Sequence, residues 1–207
     1  MDAKLLREAT RPEHEATEAM VPLMHPDLTR AEYVVVLQRF YEAIRAWEAV
    51  AARRVPPAYA DLVRQRSRRA ALEADLRFFQ ADFRSDLPAG VVEQIEHLLA
   101  DAPADAPEQA GRFLGAMYVV EGSTLGGQYI ASHVESVLGL TAGEGTAFFR
   151  GYGSSTVPKW REFQRVLMDL PDIYSDEAIG AAKEMFGVFR RCLSKSSEAD
   201  QNALFMT

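Results

Sequence analysis

Four histidines and one cysteine are the chain's whole supply of nitrogen and sulfur metal ligands, and their spacing restricts what they can do. A di-iron carboxylate site in a helical bundle needs Glu-x-x-His on two helices. Here Arg11, Pro22, Gln94 and Ile130 stand three residues before His14, His25, His97 and His133. No His-x-x-x-His pair is available for a helical zinc site, and a lone Cys192 excludes both a thiolate cluster and an internal disulfide. Any metal held by this chain therefore rests on a single histidine, a condition met by iron whose remaining ligands come from a macrocycle.

His14 is the histidine with suitable neighbours. At helical spacing Arg11 shares its face, and Arg7 lies one turn earlier. One neutral imidazole beside two fixed cations suits an iron that needs nitrogen and a macrocycle whose carboxylates need guanidinium partners. The same residues also fit an ordinary charged helix surface. The second unusual stretch is Tyr118–Gln128, with Gly122, Gly126 and Gly127 inside it. Each glycine inside a helix costs about 1 kcal/mol relative to alanine, so three in six positions need a reason. Close approach to a flat ligand is one; a helix kink, a tight helix crossing and a loop are others.

The elements that carry these residues read as all-α. No alternating apolar run is bounded by Asn-Gly or Asp-Gly turns. A first helix covers residues 3–19 and is interrupted at Pro12, with Thr10-x-x-Glu13 as a capping box that restarts it. Thr29-x-x-Glu32 opens a second, amphipathic helix to about Ala52. An Arg-rich helix spans residues 58–79, a short one follows Pro88, and residues 101–107 read as a surface linker. From Glu108 one long helix runs through the glycine cluster to about Leu138. Thr156 and Ser175 cap the last two helices, and residues 196–207 form a tail after a single domain of residues 1–195.

All 13 glycines fall from Gly90 onward, so 89 glycine-free residues precede the region where backbone must bend or approach something closely. The 207 residues are 48% hydrophobic and 26% charged, enough for one full core. A net charge of −7 argues against nucleic-acid binding, which needs a basic face. No run of about 18 apolar residues offers a membrane span, and no secretory signal is seen, so a cytoplasmic location is expected.

Leu6-Arg-Glu-Ala-Thr-Arg-Pro-Glu-His14 resembles the proximal-helix signature of haem oxygenases, and Tyr118–Gln128 resembles their glycine-rich distal helix. The two lie about one hundred residues apart in the order that family shows, and the likeness extends loosely over nearly the whole chain. The Gly-Ser-Thr-Leu-Gly-Gly form is most similar to the bacterial haem oxygenases associated with bacteriophytochromes. The resemblance implies an all-α, single-domain helical bundle with a kinked distal helix. It implies His14 as the axial iron ligand and Gly122, Gly126 and Gly127 as backbone over the haem, with Tyr118 beside it. Gly122, Ser123 and Gly126 are then the catalytic positions. Arg7 and Arg11 match positions near the propionates, and Lys159–Arg165 resembles the family's basic helix, adding Arg161 and Arg165.

The activity so implied is oxidative cleavage of haem, both cofactor and substrate, to biliverdin, carbon monoxide and ferrous iron. O2 is the co-substrate, and a ferredoxin or flavodoxin-type reductase system supplies electrons. The biliverdin would pass to a bacteriophytochrome. The sequence departs from many members in one place: Ser123 stands where they carry aspartate after the first distal glycine, and a hydroxyl brings no charge to order water. The alternative reading is a haem carrier or sensor with the same fold and no turnover.

Overall fold

The computed structural model describes residues 1–83, 88–100 and 107–194. Among them there is no strand, and the helices are α1 (Ala3–Ala9), α2 (Arg11–Glu18), α3 (Arg30–Arg54), α4 (Ala60–Arg64), α5 (Arg69–Phe78), α6 (Val91–Leu98), α7 (Pro107–Leu138), α8 (Thr156–Met168) and α9 (Ser175–Leu193). Of the linker expected over residues 101–107, Pro107 begins α7 and the rest, like the tail over 196–207, lies outside the described residues. No described helix is long and apolar enough to cross a membrane.

The spine of the fold is the pairing of α7 with α9, around which α3, α6, α2 and α1 also meet α9. The two backbones come so close that a Cβ on Gly115 would collide with the Ala178 carbonyl. Small residues at that crossing, Gly115, Ala178, Ala181 and Ala182, let the helices approach and bury their apolar faces on both sides. Tyr33, Leu37, Phe113, Phe148, Phe163 and Ile95 are among the largest fully buried side chains of the core. Cys192 is buried near the end of α9, where desolvation, reinforced by Glu42, pushes its thiol up to about 12.

Several boundaries follow the sequence signals and several do not. Thr29 and Glu32 form the reciprocal capping box that starts α3. Thr10 marks the break between α1 and α2, but its hydroxyl donates to the Leu6 carbonyl (2.7 Å) instead of capping α2. Thr156 accepts from the Tyr152 N–H (3.1 Å), and Ser175 makes no side-chain cap, so neither closes the helix it begins. The Arg-rich helix expected over residues 58–79 is two helices, α4 and α5, with residues 65–68 between them. The reason lies in Arg66 and Arg68, which leave the helical face and insert into the bundle, where both are buried.

Through Gly122–Gly127 the helical assignment of α7 is continuous. The hydroxyls of Ser123 and Thr124 donate back to the carbonyls of Val120 and Glu121, both at 2.7 Å. Such back-bonding loosens and bends helices, so hydroxyls as well as glycines modify α7 here.

Candidate active site

Two contacts tie the N-terminal segment to α7, and they bracket the residues of interest. At one end the Tyr118 side chain lies beside Thr10; burial raises the phenol's pKa, opposed by Thr10 and the nearby Arg7 charge. At the other, His133 Nε2 lies 3.2 Å from the His25 carbonyl. The Tyr118–His133 stretch of α7 is about 22 Å long at helical rise. Thr10 and His14 are one turn apart, joined by the His14 N–H to Thr10 carbonyl bond (3.0 Å). Tyr118, Gly122 and Gly126 likewise follow one another at four-residue steps. From the Thr10–Tyr118 contact, therefore, one wall leads to His14 and the other to Gly122 and Gly126.

On the first wall, the His14 side chain is 56% exposed, with its ring edge against Phe186 of α9 (centroids 5.9 Å apart). Its Nδ1 lies 3.5 Å from Glu18 Oε2, one turn on. A carboxylate there favours the tautomer with the proton on Nδ1, which leaves Nε2 with a lone pair on the opposite side of the ring. A histidine so oriented can ligate a metal through Nε2. Among the described residues no group of three or more His, Cys, Asp or Glu side chains could hold a free metal ion. A metal here needs a ligand set that comes with it.

On the second wall the three glycines differ. A Cβ on Gly126 would meet nothing within 4 Å, and one on Gly122 would reach only the Trp160 ring at 3.9 Å. Gly126 presents bare backbone to open space, and Gly122 presents its backbone beside the Trp160 ring. Gly127 faces the other way: a Cβ there would collide with the Phe149 carbonyl. The close approach it serves in this structure is to protein backbone, so the cluster answers two needs at once.

The cationic candidates divide similarly. Arg161 and Arg165, both exposed on α8, border a cavity of about 400 Å3 together with Asp2, Ala3, Gln164 and Met168. Arg7 stands one turn beyond Ala3 on α1, close enough to act on Tyr118. Arg11 turns its Nε to Glu15 (2.7 Å), which raises the guanidinium pKa and draws the side chain along the outside of α2. Three arginines thus border the α1–α8 seam, and Arg11 is committed to a neighbour on its own helix.

Sequence reasoning missed what stands behind the second wall. Arg66 pairs in the interior with Glu121 and also reaches Glu162 (2.8 Å) and the Lys159 carbonyl (2.9 Å). Tyr152 donates to Glu121 (2.7 Å), and burial beside that carboxylate drives the phenol pKa far upward. Arg68 lies over the Phe148 ring at 4.1 Å and donates to the Phe148 carbonyl and to Ser123 Oγ, both at 2.8 Å. Buried Asp75 accepts from the N–H groups of Ala147 and Phe148 (2.8 Å each), and desolvation lifts its carboxyl to about 6. Glu135 binds Arg150, Thr146 and the Gly143 N–H, and these hold it near 2. The run Arg64-Gln-Arg-Ser-Arg-Arg69 reads as a solvated face; its only hint of another role is the Ser67 that interrupts helical periodicity.

The fold resembles that of solved haem oxygenases. The structure resembles a haem oxygenase from Leptospira interrogans with a TM-score of 0.75, at 22% identity over 94% of this chain and 99% of that one. It resembles haem oxygenase-1 of the cyanobacterium Synechocystis, solved in complex with haem, with a TM-score of 0.72, 17% identity and coverage of 99% and 96%. The haem oxygenase of Neisseria meningitidis, solved with NO and CO bound, matches with a TM-score of 0.64 at 20% identity, covering 95% and 94%. No curated protein matches the sequence. The family model for heme oxygenase matches residues 1–195, and the chain is accordingly an oxidoreductase of the haem oxygenase family.

Proposed function

We propose that this protein binds haem between α2 and the glycine stretch of α7 and cleaves it to biliverdin, carbon monoxide and ferrous iron. The observation that carries this reading is the bracketed arrangement of His14 on one wall and, on the other, the open backbone of Gly126 one turn from Gly122, which packs beside Trp160. The residues fit a flat, dianionic macrocycle: one nitrogen ligand, a glycine surface without side chains, and Arg7, Arg161 and Arg165 at one end of the seam. The relatives from Synechocystis, solved with haem, bind it in the same fold.

When bound, haem supplies the iron that activates O2 and the carbon that is oxidised, with electrons from an external donor of the ferredoxin or flavodoxin class. The chain supplies position. His14 would hold the iron through Nε2, with Glu18 beside Nδ1 orienting its ring. Gly122 and Gly126 would let backbone, free of side chains, line the face of the macrocycle. Tyr118, beside Thr10, would stand at the inner end. Gly127 contributes by seating α7 on Phe149, and Arg11 as a second-line cation once released from Glu15. The Gly122-Ser-Thr-Leu-Gly-Gly127 form supports delivery of the biliverdin to a bacteriophytochrome.

The test adds hemin, then a reductant and air, and follows the visible spectrum. Loss of the Soret band with growth of biliverdin absorption and release of CO is expected. A stable ferric or oxygenated spectrum would overturn turnover in favour of a carrier. His14→Ala should abolish the native axial coordination; an unchanged ferric spectrum in that variant would remove His14 from its role.

A further inference from the structure

Ser123 occupies the edge of the wall formed by Gly122 and Gly126, exposed to solvent, and its hydroxyl has little freedom. A serine hydroxyl has one proton to donate and two lone pairs. The proton is engaged with the Val120 carbonyl at 2.7 Å, and one lone pair accepts from Arg68 at 2.8 Å. One lone pair remains, and it belongs to the exposed side.

Arg68 is itself unusual. It is 4% exposed, yet its guanidinium meets carbonyls, a hydroxyl and an aromatic face; among the described residues no carboxylate pairs with it directly. Tyr152, Glu121 and Glu48 act on the guanidinium at longer range, the Glu48 carboxylate being bound to the Arg68 backbone N–H at 2.6 Å. A buried cation without a contacting counter-ion is costly, and its field is poorly screened. It lies one hydrogen bond behind the exposed Ser123.

We propose that Arg68 is a positioning residue that fixes Ser123 as an acceptor toward the cleft and sets a positive field behind it. A water in the cleft then donates one O–H to Ser123 and keeps its second hydrogen for the haem's distal oxygen ligand. The pair so replaces a charged side chain on the distal helix: Ser123 supplies direction and Arg68 supplies charge. This rests on the haem-binding reading above.

The experiment measures the C–O stretching frequency of the ferrous-CO haem complex, which falls when positive charge or a donor faces the bound ligand. Wild type is compared with Arg68→Met, Arg68→Lys, Ser123→Ala and the Arg68→Met/Ser123→Ala double variant, with the Soret band and hemin affinity as controls. Arg68→Met and Ser123→Ala are expected to raise the frequency, the double variant no further than the larger single change, and Arg68→Lys to return toward wild type. An unchanged frequency in Arg68→Met with a normal Soret band would overturn the proposal, as would fully additive shifts. If Arg68→Met does not fold, Ser123→Ala decides alone: the same frequency as wild type overturns it. Failure of the wild type to bind hemin would instead overturn the haem reading, and the proposal with it.

Discussion

The two walls around His14 and Gly122 are built on different principles. Helix α2 has no buried residue; it is held by the edge contact of His14 with Phe186, by Arg190 reaching the Glu13 carbonyl (3.3 Å), and by exposed pairs along its own length. Such i,i+4 pairs contribute a few tenths of a kcal/mol each. The glycine stretch of α7 rests instead on Arg66, Arg68, Glu121, Tyr152 and the Asp75-anchored turn, all inside the protein. Helix α2 is anchored mainly through exposed side chains, and the α7 wall is tied to the interior.

Substitutions can break this contrast, and the largest effect is expected behind the α7 wall. Glu121→Ala leaves Arg66 with only the half-exposed Glu162 as a carboxylate partner. It should lower unfolding free energy by about 3–5 kcal/mol, measured by denaturant titration of the ligand-free protein. Asp75 comes next. Its carboxyl keeps a proton up to about 6 in the native state against 3.8 unperturbed, so its contribution is complete below the lower value and is lost as pH rises through the upper one. That loss amounts to about 2–3 kcal/mol, and the difference in stability between wild type and Asp75→Asn across pH 4–7 should show it. Glu135, held near 2, acts with the opposite sign in a more acidic window.

Adjacent glycines provide a sharper test. Gly127→Ala forces α7 away from the Phe149 carbonyl, and a loss of about 1–3 kcal/mol is expected. Gly126→Ala meets no atom, so the ligand-free protein should gain up to about 1 kcal/mol from helix propensity while haem turnover falls. Equal effects at the two positions would erase the distinction between packing and ligand-facing glycines. The smallest effect belongs to α2: Glu18→Gln should change stability by less than about 0.5 kcal/mol, yet move the ferric spectrum by loosening the His14 ring.

How far the sequence anticipates this molecule follows from the range of the interactions. Capping at Thr29, the break near Pro12 and the long helix through the glycines are local, and periodicity reveals them. His14 and the glycines stand out because their residue types are unusual where they occur. The division of labour between Gly126 and Gly127 depends on Phe149, more than twenty residues away, and no local pattern encodes it. Arg66 and Arg68 mislead for the same reason: in a run of arginines burial is the exception, and their partners Glu121, Glu162 and Ser123 lie on other helices. A net charge of −7 hides these cations twice, once in the interior and once along the α1–α8 seam.

The buried thiol of Cys192 has its own consequence. An enzyme that brings iron, reductant and O2 together generates oxidants at its own surface, and thiolates are the first side chains to suffer. This chain has one cysteine, enclosed at the end of α9 with its thiol pushed to about 12. It is therefore chemically silent while the bundle is closed. Alkylation of Cys192 becomes a clock for opening of the α9 terminus, readable without any label added to the protein.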